Sequence, residues 1–250
     1  MNEIAQAKES LKPAPRRITF HRFSTVELLV ALVLFLFFPF VEEVKGGDII
    51  ISILFSLVLL SAVLAVADRK GVFFIALVLA IPAIAGRWIN HFWPDLVPPP
   101  VFLVAGLALI AFVVANLLRF VLRAPSVNTE VLCASISAYL MLGLLWTVAY
   151  WLVAQVNPDA FAFNTAGRTK QTMAGFDAFY FSFITLSTVG YGDITPVSRI
   201  ARWLAAMEAI TGQLYVAVLI ARLVALYRSG EGKFHIGNST PKSDDSCSDV

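Results

Sequence analysis

The chain has 250 residues, of which 58% are hydrophobic and 14% are charged, and its mean hydropathy is +0.78. An ordinary soluble domain is about 25% charged, so this composition disfavours a soluble enzyme and predicts an integral membrane protein. The 19 basic and 17 acidic residues leave a net charge of +2, which is too small to indicate a nucleic-acid partner. The two cysteines provide neither a disulfide framework nor a cysteine metal site.

Six apolar runs are candidates to cross the bilayer as helices. A helix needs about 20 mostly apolar residues to span the hydrocarbon core, and unpaired backbone cannot face lipid. The sequence therefore predicts an all-α integral membrane protein with six transmembrane helices. The runs cover residues 24–41, 48–67, 71–87, 101–122, 131–153 and 197–227.

The distribution of basic residues predicts how these runs are oriented. With the N-terminus in the cytoplasm, most of the 19 lysines and arginines fall on the cytoplasmic side, as the positive-inside rule requires. We therefore expect a multi-pass protein of the cell membrane with both termini in the cytoplasm. The expected parts are a cytoplasmic N-terminal segment (1–23), a four-helix peripheral unit (24–123), a second helical unit (131–228) and a disordered cytoplasmic tail (229–250).

The segment between the fifth and sixth runs carries the residues that indicate a function. Residues 176–187 are apolar and make about three helical turns, which is too short to cross a bilayer, so this helix is expected to be re-entrant. The sequence Thr-Val-Gly-Tyr-Gly-Asp follows it at 188–193. Irregular backbone at membrane depth is tolerated only where it is buried in protein or lines water, and this condition is typical of a pore.

The residues of this short segment suit the binding of a dehydrated cation. Gly190 and Gly192 can adopt backbone angles that other residues avoid, so the carbonyl groups of Thr188, Val189, Gly190 and Tyr191 can point in one direction. Aligned carbonyl oxygens can replace the water shell of a cation, and the Thr188 hydroxyl would add an oxygen at the inner end. Val189 and Tyr191 would point away from the ion and brace the strand.

The pentapeptide Thr188-Val189-Gly190-Tyr191-Gly192 resembles the potassium-channel selectivity filter residue for residue. The resemblance extends over the second helical unit, which it identifies as a pore domain of helix, pore loop and helix. It implies passive, selective K⁺ conduction, with no catalytic residue, cofactor or small-molecule substrate. Because one chain supplies one filter strand, a ring around the ion requires a homotetramer in the lipid bilayer.

The sixth run contains further candidate residues. Potassium channels have a glycine hinge in the inner helix, and Gly212 has the corresponding spacing after the filter. The alternative for Gly212 is close packing against a neighbouring helix.

A stripe of side chains follows Gly212 along one helical face: Gln213, Val216, Ile220 and Val224. Gln213 is expected just below the filter, and Ile220 and Val224 could form an apolar constriction that gates by dewetting. The alternative is that the stripe is helix-packing core.

One acidic residue directly follows the filter. Asp193 follows the filter at the outer mouth, where a ring of carboxylates would attract cations, and the resemblance implies that it also braces the filter. Ile184 departs from some family members, in which an acid at this position pairs with that aspartate.

Glu208 lies within the sixth run, where an ionisable group is costly in lipid. Hydrogen bonding to the pore helix and a part in gating are equally open for it.

The fourth run lacks the arginine series of a voltage sensor. Residues 101–115 carry no charge, and Arg119 and Arg123 come only at its cytoplasmic end, as expected of positive-inside residues. We therefore expect no steep voltage gating.

Two other functions remain as alternatives to a K⁺ channel. One is a subunit of a K⁺ uptake transporter, which would usually carry four pore loops in one chain, whereas this chain has one. The other is a non-conducting or regulatory channel subunit, which the intact filter disfavours.

Overall fold

The structure is a computed structural model that describes residues 22–42, 46–67, 70–93, 98–125, 128–164, 173 and 175–236. Helices make up most of the described chain. The predicted N-terminal segment 1–23 falls almost entirely outside the described residues, and so does the end of the tail, 237–250. The helices are α1 (Arg22–Phe35), α2 (Pro39–Glu42), α3 (Gly47–Ala65), α4 (Lys70–Phe92), α5 (Pro99–Arg123), α6 (Thr129–Val156), α7 (Phe176–Leu186) and α8 (Arg199–Ile236).

Five of these helices, α3, α4, α5, α6 and α8, are long and apolar enough to span a membrane. Each has an apolar stretch of at least 19 residues, close to the roughly 20 that a bilayer requires. The prediction of a helical, multi-pass membrane protein is therefore confirmed. α7 has 11 residues and rises only about 16 Å, so it is too short to cross.

The first predicted span, 24–41, is interrupted. α1 ends at Phe35, a turn covers residues 36–38, and α2 begins at Pro39. The amides of the turn donate to carbonyls three residues back, as in a 3₁₀ helix. The cause is local, because proline has no amide hydrogen and disfavours the α conformation of the residue before it. α1 has 14 residues and rises about 21 Å, so a sixth spanning helix stays a prediction.

Two helices extend beyond the predicted runs. α4 continues past Arg87 to Phe92, with Pro82 inside it. The prediction ended this run at a charge, but a long arginine side chain can lay its apolar stem along a helix without ending it. α8 continues to Ile236 and so enters the segment 229–250 for which we expected disorder.

Two short strands were not predicted. β1 (Phe161–Phe163) pairs antiparallel with β2 (Ile194–Pro196), and Ala162 lies opposite Thr195. Three residues are too few to show the alternating pattern by which a strand is recognised in sequence. The pair connects the chain after α6 with the chain just after the filter residues.

α6 lies at the centre of the packing. It contacts α1 and α5 of the peripheral unit, and it also contacts α7 and α8 of the pore domain. α6 therefore joins the two units. A second, smaller core surrounds the ring of Tyr150, whose centroid lies 4.9 Å from that of Phe181 and 5.8 Å from that of Phe161. The most buried side chains of the main core include Leu28, Leu32, Leu59, Leu109, Leu117 and Met141.

Candidate ion-conducting site

The filter residues have an alternating backbone. Thr188, Gly190 and Gly192 have φ values of +60°, +52° and +79°, whereas Val189 and Tyr191 between them have negative φ. Glycine adopts positive φ without a steric penalty, and a threonine in this region stores about 1–3 kcal/mol of strain. This alternation is compatible with successive carbonyl groups turned to one side, the arrangement that the sequence analysis requires for a cation.

The inner end of the filter is a helix C-terminus. The Thr188 amide donates to the Thr185 carbonyl at 3.0 Å, and the Val189 amide donates to the Ile184 carbonyl at 2.8 Å. These two bonds, with Thr188 in the left-handed region, form a Schellman motif at the end of α7. The left-handed conformation of Thr188 therefore caps α7, the pore helix, and starts the filter at the same time. Ile184, which replaces an acid of some family members, contributes its backbone carbonyl to this cap.

Gln213 lies at the inner end of the filter. Its side-chain amide donates to the Thr188 hydroxyl at 3.3 Å. The contact brings α8 to the first filter residue. A position of Gln213 in an ion cavity below the filter stays a prediction.

The outer end of the filter is tied to two residues that the sequence analysis missed. The Tyr180 hydroxyl donates to Oδ2 of Asp193 at 2.8 Å. The Asn164 side-chain amide donates to the Gly192 carbonyl at 2.8 Å, and its backbone amide donates to the Asp193 carbonyl at 2.7 Å. A tyrosine on an otherwise apolar helix is a signal for a hydroxyl partner. Asn164 gave no such signal, because it lies in a connecting segment far from the filter in sequence.

Glu208 has two partners that the sequence could not name. The Tyr150 hydroxyl of α6 donates to Oε2 of Glu208 at 2.5 Å, and the Ser182 hydroxyl of α7 lies 2.6 Å from Oε1. All three side chains are fully buried. One of the two open interpretations of Glu208, hydrogen bonding to the pore helix, therefore matches its geometry.

Gly212 lies where α8 passes close to the end of α7. A Cβ atom at this position would lie 2.4 Å from the Leu186 carbonyl oxygen, which is closer than atoms can approach. The geometry therefore agrees with the alternative of close packing. A hinge at Gly212 stays a prediction.

The remaining residues of the stripe are exposed in a single chain. Val216, Ile220 and Val224 are 41%, 56% and 54% exposed. The stripe is thus not packing core within one chain, and it is free to face an ion pathway or a second copy.

Two hydrogen bonds join α8 to α6 and to the residue after α5. The Tyr215 hydroxyl donates to the Ser135 carbonyl of α6 at 2.6 Å. The Arg222 guanidinium donates to the Ala124 carbonyl, directly after α5, at 2.7 Å. The second bond joins the end of the peripheral unit to α8 between Ile220 and Val224.

Arg119 and Arg123 lie on the last turns of α5, and both are exposed. Their position at the helix end agrees with the interpretation as positive-inside residues.

Similarity to known proteins falls on the pore domain. The family model described as an ion channel matches residues 137–229. This range begins in α6, contains α7 and the filter residues, and ends in α8.

Individual relatives are similar to part of the chain. Protein LctB from Bacillus caldotenax is 33% identical over an alignment of 100 positions that covers 34% of this chain and 73% of that protein. Two-pore potassium channel 3 from Arabidopsis thaliana is 34% identical over 92 residues, which are 37% of this chain and 18% of that protein. The voltage-gated potassium channel Kch from Escherichia coli (strain K12) is 44% identical over 63 residues, which are 25% of this chain and 15% of that protein.

The chain thus spans most of LctB and less than a fifth of each of these two potassium channels. The family model covers the unit of helix, short helix and helix that contains the filter residues, and potassium channels are among the relatives, so this chain belongs to the potassium channel family.

Proposed function

We propose that this chain forms a K⁺-selective channel that conducts passively across the cell membrane. The observation that carries the proposal is the filter backbone, in which Thr188, Gly190 and Gly192 have positive φ at every second residue. The filter residues Thr188 to Gly192 would supply oxygen ligands to K⁺, and Asp193 would attract cations at the outer mouth. The permeant ion is the only ligand required, and no cofactor takes part.

The working unit is proposed to be a homotetramer. Val189 is 51% exposed and Tyr191 is 72% exposed in a single chain, so neither side chain has the surroundings that would brace a filter. The described part of α8 also exposes large apolar side chains, among them Leu214 and Val218. Neighbouring copies would cover these surfaces and complete the ring of carbonyl groups.

In the membrane, the proposed arrangement has six crossings, with α7 re-entrant and both termini in the cytoplasm. α1, the following turn and α2 would together make the first crossing. Gly212 would act as a hinge, and Ile220 and Val224 as an apolar constriction near the cytoplasm. Steep voltage gating is not expected, because the apolar part of α5 carries no charge.

Flux from purified protein in liposomes tests this function. Vesicles loaded with K⁺ should lose it through the protein, and vesicles loaded with Na⁺ should not. Native mass spectrometry in detergent should show four copies. Tetramers that conduct neither ion would favour a non-conducting regulatory subunit, whereas selective flux from a monomer would refute the ring of four.

A further inference from the structure

The contacts of Glu208 connect three elements at one buried point. Oε2 of Glu208 accepts from Tyr150 of α6, and Oε1 lies 2.6 Å from the Ser182 hydroxyl of α7. The Ser182 hydroxyl is also 2.8 Å from the Gly143 carbonyl of α6. The three helices α6, α7 and α8 therefore meet at this carboxyl group.

The number of hydrogen atoms available for these hydrogen bonds indicates whether Glu208 is protonated or ionised. The contacts number three, and the hydroxyl groups of Tyr150 and Ser182 supply one hydrogen each. A protonated Glu208 supplies the third, because it can donate to Ser182 while Ser182 donates to Gly143. No cation of the described residues lies within ion-pairing distance of Glu208, so an ionised carboxylate would be buried without a compensating charge.

The cluster also lies in register with the filter. Glu208 contacts Ser182, and one helical turn further along both helices Gly212 contacts Leu186. The next residue of α8, Gln213, then reaches Thr188 at the start of the filter. Among these three contacts, only that of Glu208 includes hydrogen bonds to both α6 and α7.

We propose that Glu208, in its protonated form, is a positioning residue for the selectivity filter. It holds α7 between α6 and α8, and the filter begins at the C-terminal cap of α7. The inference rests on the proposed K⁺ conduction, because selectivity is the property that a displaced pore helix would change.

Three kinds of variant separate this role from general stability. Glu208→Leu removes both hydrogen bonds while keeping an apolar side chain of moderate size. Glu208→Gln keeps both, because the amide group can donate to Ser182 and its oxygen can accept from Tyr150. Ser182→Ala removes one of the two hydrogen bonds of Glu208, together with the contact of Ser182 with the Gly143 carbonyl. Its matched control is Ser137→Ala, since Ser137 is a fully buried hydroxyl of α6 with no hydrogen-bond partner among the described residues.

The K⁺ over Na⁺ permeability ratio of reconstituted channels is the main measurement. We expect Glu208→Leu to lower this ratio by about tenfold or more and Ser182→Ala to lower it less, as for the loss of buried hydrogen-bond partners. Glu208→Gln should restore a ratio within about twofold of the unmodified protein, and Ser137→Ala should leave it unchanged.

The outcomes distinguish the inference from the function on which it rests. Unmodified protein that shows no K⁺ flux would overturn the proposed function and the inference with it. Selective unmodified protein with an equally selective Glu208→Leu variant would overturn the inference alone. If Glu208→Gln loses as much selectivity as Glu208→Leu, the assignment of a protonated Glu208 is overturned. If Glu208→Leu does not assemble, Ser182→Ala and Tyr150→Phe decide, because a normal ratio in both would also overturn the inference.

Discussion

In the peripheral unit, the hydroxyl groups of Ser52, Ser56 and Ser61 donate to carbonyls of their own helix, and the bond from the Trp88 indole to the Ser56 hydroxyl joins two helices. In the pore domain, many more side-chain bonds join different elements. Side chains that take part in such bonds include Tyr150, Asn164, Tyr180, Ser182, Glu208, Gln213, Tyr215 and Arg222.

The difference shows which part of the chain depends on exact geometry. In lipid, burial of apolar surface gives little preference for one helix arrangement over another, because the solvent is also apolar. Side-chain packing can hold the peripheral helices together and still tolerate small shifts. Directional hydrogen bonds in the pore domain fix distances to tenths of an ångström, as a site that coordinates an ion requires.

The largest expected effect comes from Gly190→Ala. Its φ of +52° is unfavourable for any residue with a Cβ atom, so the filter backbone should change and selective K⁺ flux should be abolished. Flux of K⁺ and Na⁺ from liposomes measures this. The matched control is Gly46→Ala in the peripheral unit, where φ is +90° and space is open. An unchanged flux ratio in Gly190→Ala would contradict the filter assignment.

Gly212→Ala should have the next largest effect. The added methyl group would overlap the Leu186 carbonyl oxygen, and relief of this overlap should destabilise the protein by about 1–3 kcal/mol. Thermal unfolding in detergent measures the change, together with K⁺ flux. Gly106→Ala is the control, since Gly106 lies within α5 with no atom close to its added Cβ. A change in gating without any loss of stability would favour the hinge over close packing.

Tyr180→Phe should have a moderate effect that is confined to the filter. The variant removes the donor to Asp193, a loss of about 1 kcal/mol in the support of the outer mouth. We expect K⁺ currents that decline faster during sustained recording, with assembly unchanged. Tyr139→Phe serves as control because its ring packs against Tyr215 and its hydroxyl makes no bond among the described residues. Equal decline in both variants would exclude a specific role for Tyr180.

The smallest expected effect lies in the peripheral unit. Moving one charge through the whole membrane field yields about 2.3 kcal/mol per 100 mV, and steep gating needs several such charges. Arg119→Gln and Arg123→Gln should therefore leave the conductance–voltage relation of reconstituted channels almost unchanged. A steep relation that flattens in these two variants would show that the peripheral unit senses voltage after all.

Much of the fold could be predicted because hydropathy is a local property. Helices α3 to α6 and α8 lie within a few residues of the predicted runs, except that α4 and α8 continue further. The break after Phe35 was missed although its cause, Pro39, is visible in the sequence, because residues 28–41 are apolar without interruption. β1 and β2 could not be predicted, since neither is stable without the other and 30 residues separate them.

The sequence by itself determined the membrane-spanning character and the filter pentapeptide, because both depend on residues that are adjacent in the chain. Tertiary structure decided what holds the filter. Glu208 and Ser182 are 26 residues apart, Asn164 and Gly192 are 28 apart, and Glu208 and Tyr150 are 58 apart. Whether such groups meet depends on how the helices are placed and rotated against one another, and no local pattern in the sequence encodes that placement.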